Sequence, residues 1–188
     1  MKHSVPTVRL RGMDRPAVAQ HFLSLGPEDR RLRFGALLSD DGIRSYVDRM
    51  DFDNDGVFAV LSDDLSILAL VHVAVLEDLA ELGLSVLAPQ RGQGAGQALF
   101  RRAVTFLRNR AVRAVVVHCL TENAAMMHIA RNNGMRVVHS GGESDAHLAL
   151  DPPDALTLSL EWYEEQRAQA VTAMRLNARF ARRLFGMA

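Results

Sequence analysis

The chain has 188 residues, a length typical of one domain, and 48% of them are apolar, which is enough to fill a core. Its 22 basic and 22 acidic residues balance at neutral pH, which argues against a broad electrostatic surface for nucleic acid or a membrane. The single cysteine, Cys119, excludes an internal disulfide and favours a reducing, cytoplasmic location. Residues 1–11 contain no apolar run of signal-peptide length, and the longest apolar run, residues 67–76, is too short to span a bilayer.

The first third of the chain predicts a strand followed by three helices. Weak alternation over residues 5–10 favours a short strand. Asp14 precedes Arg15-Pro16, an N-cap followed by a first-turn proline, so a helix is predicted to about Leu25. Pro27 opens a second helix, and residues 42–50 form a third.

The middle of the chain predicts a sheet. Residues 57–61, 65–76 and 79–87 are strand-like and are separated by short turn signals, which indicates an antiparallel meander. A glycine-rich loop then leads into an amphipathic helix over residues 97–110. The β-branched run 112–120 predicts a buried strand, so residues 79–120 form a β-α-β unit within a mixed, mostly antiparallel sheet of α/β (α+β) class.

The last third predicts a helix over residues 123–133 that ends at Gly134, and two closing strands around Gly141-Gly142. One long helix follows from Asp154. Its apolar stripe includes Leu156, Leu160, Tyr163 and Met174. At 1.5 Å per residue, about thirty residues span roughly 45 Å, so either the helix's own domain or a second copy of the chain must cover the stripe. Of the two, a homodimer is preferred, and the predicted units are residues 1–152 and 153–188.

The loop at residues 88–96 is the segment that indicates chemistry. Glycines let several N–H groups turn toward one point, and a helix N-terminus adds a partial positive charge, so the pattern favours a pyrophosphate site with Arg91 at its entrance. No Lys-Ser/Thr pair follows the glycines, which excludes a P-loop. Gln97 stands where the dinucleotide fingerprint requires its last glycine.

The remaining pattern, Arg91-Gly92-Gln93-Gly94-Ala95-Gly96 between a strand and a helix, resembles the acetyl-CoA motif of the GNAT acetyltransferase superfamily. The resemblance extends to Glu81 on the preceding strand, to Asn123 at the start of the next helix, and to Gly134-Met135 at its end. It covers most of residues 5–150 and leaves the C-terminal helix uncovered.

The resemblance implies an acetyl-CoA-dependent N-acetyltransferase in which a primary amine attacks the thioester directly. The amine would belong to a small molecule, a peptide N-terminus or a lysine. The backbone of Ser85, Val86 and Leu87 would pair with the pantetheine arm, with the Val86 N–H on the thioester oxygen. Residues 91–96 would hold the pyrophosphate, and Asn123 would contact the cofactor near its reactive end. Neither a metal nor a nucleic-acid or membrane partner is expected.

Glu81 is the candidate general base, because a lysine-like amine has a pKa of about 10.4 and must lose a proton before it attacks. Relatives often place a proton-donating tyrosine seven residues after the helix-opening Asn, and here that position is Ala130. The other candidates for the acid are His118, Cys119, His128 and Tyr46, and the alternative is a thiolate that leaves unassisted or takes its proton from water. The sequence does not choose among them.

Two further features of the sequence have an alternative interpretation, the acidic segment 51–56 and the alanine at position 130. Asp51-x-Asp53-x-Asp55-Gly56 imitates an EF-hand, but Ser62 occupies the position of the bidentate Glu, so a turn with an acidic surface is expected instead of a calcium site. For the whole protein, the alternative to an enzyme is a non-catalytic acyl-CoA-binding regulatory module, which the alanine at position 130 favours.

Overall fold

The computed structural model describes residues 5–185, with side chains as far as residue 180. Its seven-stranded sheet has the order β1-β2-β3-β4-β5-β7-β6. The strands are β1 Val8–Arg9, β2 Gly56–Leu61, β3 Ile67–Leu76, β4 Leu79–Val86, β5 Ala114–Leu120, β6 Arg136–Ser140 and β7 Glu143–Ala149. Neighbouring strands of this described sheet are antiparallel except β4 and β5, which are parallel, so the predicted mixed sheet and β-α-β unit are confirmed.

The helices follow the predicted order. They are α1 Arg15–Leu23, α2 Pro27–Phe34, α3 Asp40–Asp48, α4 Ala95–Arg108, α5 Ala124–Asn132 and α6 Ala155–Phe185. Ser39 caps α3 by accepting a hydrogen bond from the Gly42 N–H at 3.1 Å. Among residues 5–185, none of the helices has the length and apolarity that crossing a bilayer requires.

Two predicted strands are shorter in the structure. The strand expected over residues 5–10 is reduced to Val8–Arg9, because Pro6 has no N–H to contribute to a ladder. The strand expected from Leu65 begins at Ile67, since Leu65 has a φ of 68° and closes a turn by donating to the Ser62 carbonyl at 3.1 Å. Local turn geometry overrides the apolar pattern at that position.

The sheet separates two apolar cores. Phe58 and Val71 lie with α4 and α5 on one face, and their neighbours Val57 and Leu70 lie with α1 and α3 on the other. Full burial of each such side chain contributes about 1.5–3 kcal/mol. Because helices cover both faces, the central strands are apolar on both sides and lack simple alternation.

Helix α6 docks on α4 through charged side chains. The side chain of Arg102 on α4 is 1% exposed and lies 3.0 Å from Glu165 and 3.3 Å from Glu164 of α6. Arg110 pairs with Glu161 at 3.2 Å. Replacement of Arg102 by alanine would leave the half-buried carboxylates of Glu164 and Glu165, which are 35% and 31% exposed, without this partner, so the contact between α4 and α6 should weaken.

The predicted apolar stripe of α6 does not face this contact. Its members are largely exposed: Leu156 65%, Leu160 43%, Tyr163 58% and Met174 72%. Thr157 and Ala168 are buried instead. Of the two expectations for the stripe, the one in which the chain's own domain covers it is therefore wrong for these residues. The reason is that α6 contacts α4 through its glutamates, which pair with Arg102. The boundary between residues 152 and 153 stays a prediction.

Candidate active site

Strands β4 and β5 separate after a short parallel stretch. Their pairing ends at Glu81↔Val116, whereas β4 remains paired with β3 as far as Val86. Strand β5 pairs with β7 along its whole length. A wedge, here called the β4–β5 opening, therefore lies between residues 82–86 and 117–120, where the two strands are no longer paired with each other.

The backbone groups that face this opening follow from the ladder. The Leu87 N–H donates to the Leu68 carbonyl of β3 at 2.9 Å. Successive residues of an antiparallel strand point their N–H and C=O groups to opposite sides, so Val86 faces the opening while Ser85 and Leu87 face β3. Consistently, the Val86 carbonyl accepts a hydrogen bond from Arg91 Nε at 3.3 Å. Of the three residues predicted to pair with a pantetheine arm, Val86 has the correct backbone direction.

The glycine loop borders the same opening. Gly92 and Gly94 have φ values of 74° and 83°, in the left-handed region that glycine adopts without strain. Gly94 is the N-cap of α4, whose first N–H groups have no intrahelical acceptor. A Cβ on Gly96 would lie 3.5 Å from Leu84 and 2.9 Å from Ile129, so the helix N-terminus packs closely on β4 and α5. This geometry suits a bound anion.

Two side chains of the loop have partners in the protein, one outside the loop and one within it. Arg91 Nη2 lies 2.5 Å from Asp29 Oδ1 of α2, and the Arg91 side chain is 49% exposed. Gln93 folds back and donates to the Pro89 carbonyl at 3.0 Å. A phosphate at this loop would therefore compete with Asp29 for the guanidinium group.

Asn123 joins α5 to α2. Its Oδ1 accepts the Met126 N–H at 3.0 Å as an N-cap, and its Nδ2 donates to the Leu32 carbonyl at 3.2 Å. The amide thus has structural partners at both ends. Its predicted contact with a cofactor stays a prediction and would use the second lone pair of Oδ1.

A cavity of about 480 Å³ lies on the face of β4 that points away from α4. It is beside residues 82 and 83, where β4 and β5 separate. This β4 cavity is lined by, among others, Tyr46, His72, Glu81, Gly83, His118 and Cys119. Glu81 is exposed, while its neighbours Ala80 and Leu82 point into the α4 core. The structure therefore places the candidate base in the cavity, next to the opening.

Arg33 lies directly against β4. Its guanidinium group occupies the space that a Cβ on Gly83 would need, so a close approach makes glycine necessary here. The same group lies 4.9 Å from the ring centroid of Phe34 and 5.5 Å from that of Tyr46. Arg33 therefore places a positive charge beside the cavity.

A hydrogen-bonded group of side chains lies behind Tyr46, and sequence reasoning did not assemble it. Tyr46 Oη is 2.7 Å from His72 Nδ1, and His72 Nε2 is 2.8 Å from Asp55 Oδ2. His72 and Asp55 are each 8% exposed. The predicted turn at residues 51–55 is present, with the Asp55 N–H donating to the Asp51 carbonyl at 2.8 Å. The available signal was His72 within an apolar run, because a buried imidazole needs a partner.

The other candidates for the acid differ in position. His118 pairs with Asp145 at 2.6 Å beside the cavity, whereas His128 accepts from Asn132 at 2.9 Å on the outer side of α5. Burial, with the nearby Asp145 carboxylate, raises the pKa of the Cys119 thiol, so it stays protonated at neutral pH. Ala130 is 0% exposed within the α4 core.

A buried histidine supports β4 from the α1 side. The Ile67 carbonyl lies 3.1 Å from His21 Nδ1 and can only accept, so that nitrogen carries the proton and Nε2 accepts from the Ser85 hydroxyl at 2.8 Å. Burial lowers the pKa of His21 from 6.5 to about 4; its bond to Ile67 opposes this shift and Arg33 adds to it. The imidazole is therefore neutral at physiological pH. Across residues 5–185, no three or more His, Cys, Asp or Glu side chains are grouped to hold a metal ion.

A mixed sheet whose parallel pair separates beside a glycine-capped helix defines a class of α/β proteins in which a helix N-terminus lies next to two diverging strands. The particular family follows from the sequence itself. A model of the acetyltransferase (GNAT) family matches residues 24–135, more than half of the chain, and the protein belongs to that family.

Solved structures share the fold. The GNAT domain of S. lividans PAT is 19% identical, with a TM-score of 0.65 over 77% of this chain and 89% of that one. A GCN5-related N-acetyltransferase from Kribbella flavida is 17% identical, with a TM-score of 0.63 over 80% and 100%. A ribosomal-protein-alanine N-acetyltransferase from Brucella melitensis is 14% identical, with a TM-score of 0.58 over 77% and 99%. No curated protein sequence matches the chain.

Proposed function

We propose that the protein is an acetyl-CoA-dependent N-acetyltransferase that transfers the acetyl group to a primary amine. The observation that carries the proposal is that the glycine loop and the β4 cavity both adjoin the β4–β5 opening, the loop at Leu84 and Val86 and the cavity at Leu82 and Gly83. An acyl donor anchored at the loop and an amine bound in the cavity would meet where the strands part. The alanine N-acetyltransferase among the structural relatives supports an amine acceptor without defining it.

The residues present fit acetyl-CoA. The N–H groups at the start of α4 and the Arg91 guanidinium would hold its pyrophosphate, and the Val86 backbone would pair with the pantetheine arm. Acetyl-CoA supplies the activated thioester. The donor to the thioester oxygen is better assigned to Leu84 than to Val86, because five residues of strand separate Val86 from Glu81 by about 16 Å. The Leu84 N–H faces the same side of β4 and is nearer to the cavity.

The acceptor would enter as an ammonium ion and lose a proton to Glu81, directly or through water. Glu81, Glu143 and Asp145 all line the cavity, whose basic side chains include Arg33. These carboxylates favour a cationic amine. Attack would be direct, because the protonated Cys119 thiol is a poor nucleophile for an acyl-cysteine intermediate.

The test is a calorimetric titration with acetyl-CoA of the native chain, Arg91→Glu, and the control Arg113→Glu. Arg113 is an exposed arginine that pairs with Asp78 away from the loop. We expect micromolar affinity, at least about tenfold weaker for Arg91→Glu since a phosphate contact becomes a repulsion, and unchanged for the control. Absence of binding by the native chain would refute the proposal. CoA release with spermidine, an alanine-initiated peptide and a lysine peptide then screens the acceptor.

A second candidate is a non-catalytic acyl-CoA-binding regulatory module. The buried Ala130 favours it, because α5 carries no proton donor at the position where relatives have one. Binding of acetyl-CoA without CoA release for any amine would support this function, whereas turnover that falls in Glu81→Gln would support the enzyme.

We also propose a cytoplasmic homodimer. The exposed stripe of Leu156, Leu160 and Tyr163 on α6 offers a second copy an apolar surface. Sedimentation velocity should show a dimer in the native chain and a shift toward monomer in Leu160→Glu. A strict monomer in the native chain would contradict this part alone.

A further inference from the structure

A continuous chain of hydrogen bonds runs from the β4 cavity into the interior. It begins at Arg33, whose Nη2 lies 2.9 Å from Tyr46 Oη. It continues from Tyr46 Oη to His72 Nδ1 at 2.7 Å, and from His72 Nε2 to Asp55 Oδ2 at 2.8 Å. These residues come from α2, α3, β3 and the loop before β2, so tertiary structure alone brings them together.

The chemistry of the end groups determines the direction of every hydrogen bond. A guanidinium group can only donate, so the Tyr46 oxygen accepts from Arg33 and the Tyr46 O–H is free to donate to His72 Nδ1. At the other end, Asp55 accepts three hydrogen bonds, from His72 Nε2–H and from the Val75 and Asp51 N–H groups at 3.1 and 3.3 Å. As an acceptor, Asp55 holds His72 in its Nε2–H tautomer.

This arrangement prepares His72 to receive a proton. Its Nδ1 lone pair faces the Tyr46 hydroxyl, and an imidazolium would be neutralised by the buried Asp55 carboxylate. A hydroxyl, an imidazole and a carboxylate in this order form the arrangement that moves protons in hydrolases with a Ser-His-Asp triad. Here the hydroxyl belongs to a tyrosine that lines the β4 cavity.

The charged and titratable groups around this chain come from several elements. They are Arg33 of α2, Asp55 before β2, Glu81 of β4, His118 of β5, and Glu143 and Asp145 of β7. The positive charge of Arg33 lies next to the Tyr46 oxygen and disfavours an additional positive charge at Tyr46 and His72. The carboxylates of the cavity and of Asp55 favour such a charge. Glu81, which is exposed, can exchange protons with solvent, whereas His72 and Asp55 are enclosed.

We propose that Tyr46, backed by His72 and Asp55, is the catalytic group that carries a proton from the attacking amine to the leaving thiolate of CoA. The proposal rests on the acetyltransferase function proposed above. Tyr46 is the residue in contact with the reacting atoms, and His72 and Asp55 are positioning residues that act through it. The relay supplies the proton donor that α5 lacks at Ala130.

The protons balance with two separate routes. Glu81 accepts the first proton of the ammonium ion and releases it to solvent. When the amine nitrogen bonds to the acyl carbon, its surplus proton moves to Tyr46 Oη while the Tyr46 proton moves to His72 Nδ1. When the C–S bond breaks, His72 Nδ1 returns its proton to Tyr46 Oη, and Tyr46 Oη gives a proton to the leaving sulfur, so CoA leaves as a thiol. No phenolate forms, and the relay returns to its starting state.

The activity test uses Tyr46→Phe, which removes the hydroxyl but keeps the ring that packs edge-on against Phe22 and Phe34. The chain's second tyrosine, exposed Tyr163, provides the matched control Tyr163→Phe. We expect kcat for the acceptor that the screen selects to fall about 100-fold in Tyr46→Phe, the range of a lost proton-transfer group. The affinity for acetyl-CoA should stay within about twofold in both variants, since general acid–base groups act on the chemical step.

The second readout requires no acceptor. Two-bond ¹H–¹⁵N correlation spectra of the histidine rings, assigned with His72→Gln, should show His72 as the Nε2–H tautomer. Tyr46→Phe should shift the Nδ1 resonance of His72, and Asp55→Asn should change the ratio of the two His72 tautomers. Gly83→Ala, which displaces Arg33 without altering the relay residues, should perturb the Tyr46 end only.

The outcomes separate the two proposals. No acetyl-CoA binding by the native chain refutes the proposed function, whatever the spectra show. Normal binding together with an unchanged kcat in Tyr46→Phe refutes the relay and leaves the acetyltransferase intact. If no amine in the screen is acetylated, a His72 in the Nδ1–H tautomer, or one insensitive to Tyr46→Phe, overturns the relay by itself.

Discussion

The candidate site has two parts on two sides of β4, and the two parts are built from different kinds of groups. On the side of the β4–β5 opening, the site is built from main chain: the Val86 backbone, the left-handed Gly92 and Gly94, and the start of α4. On the side of the β4 cavity, it is built from side chains that meet from α2, α3, β3, β4, β5 and β7. The first suits a ligand common to a whole family, and the second suits a partner that varies.

The difference shows how tolerant each side is to change. A backbone site depends on conformation, so substitutions damage it chiefly by changing φ or by filling the space of a glycine. A side-chain site depends on charge and hydrogen bonds, so a single isosteric change can abolish its chemistry and leave the fold intact. Variants should therefore separate binding of the acyl donor from turnover.

The largest effect is expected on the cavity side, in Glu81→Gln. Loss of the carboxylate removes the proposed acceptor for the ammonium proton, so kcat should fall about 100-fold or more. Acetyl-CoA affinity should be unchanged, because Glu81 lies outside the glycine loop. Steady-state CoA release and calorimetry measure the two quantities, with Glu77→Gln at the exposed β3–β4 turn as the control. A parallel loss of both would show that the two sides are not independent.

The strand shared by both sides should be sensitive to acid through His21. Its folded pKa of about 4 lies below its ordinary 6.5, so between these values the unfolded chain binds the extra proton. Stability is therefore complete above pH 6.5 and falls as the pH drops toward 4, by about 3 kcal/mol in total.

Urea denaturation across this range measures the effect. His21→Gln should be less stable at neutral pH but should lose this part of the pH dependence, while His128→Gln, on the exposed face of α5, should retain it. An unchanged slope in His21→Gln would place the acid sensitivity elsewhere.

A smaller effect is expected on the opening side, in Gly94→Ala. A Cβ at a φ of 83° costs about 1–2 kcal/mol, and the start of α4 must shift to relieve it. Acetyl-CoA binding should weaken about tenfold while the His72 ring spectrum stays native. Gly12→Ala, at an open position of ordinary φ, is the matched control. Equal binding in both variants would exclude the loop conformation as the basis of affinity.

The smallest effect is expected from Asp29→Asn. Asp29 pairs with Arg91 at 2.5 Å and would compete with a phosphate, so its neutralisation should tighten acetyl-CoA binding two- to fivefold. The gain should shrink as salt is added, because the pair is partly exposed. Asp40→Asn, at the Arg30 pair away from the loop, should show no gain. Weaker binding in Asp29→Asn would mean that Asp29 orients Arg91 for the ligand.

Much of the fold could be predicted from local signals. Pro27, Gly94 and Gly134 mark the helix ends because each restricts or frees the backbone by itself. The orientation of α6 could not be predicted in this way. Its apolar stripe indicated the wrong face, because Arg102 of α4 and Arg110 just after α4 lie far away in the sequence and bind the glutamates of α6.

The sequence by itself determined the glycine loop, the parallel β-α-β unit around it and the placement of Glu81 on the preceding strand, because these depend on contiguous residues and on backbone conformation. Only the tertiary structure decided which backbone groups of β4 face the opening, and that Tyr46, His72 and Asp55 form one hydrogen-bonded chain. The ladder register and the packing of α3 on β3 set those relations, and both arise from contacts between segments distant in the chain.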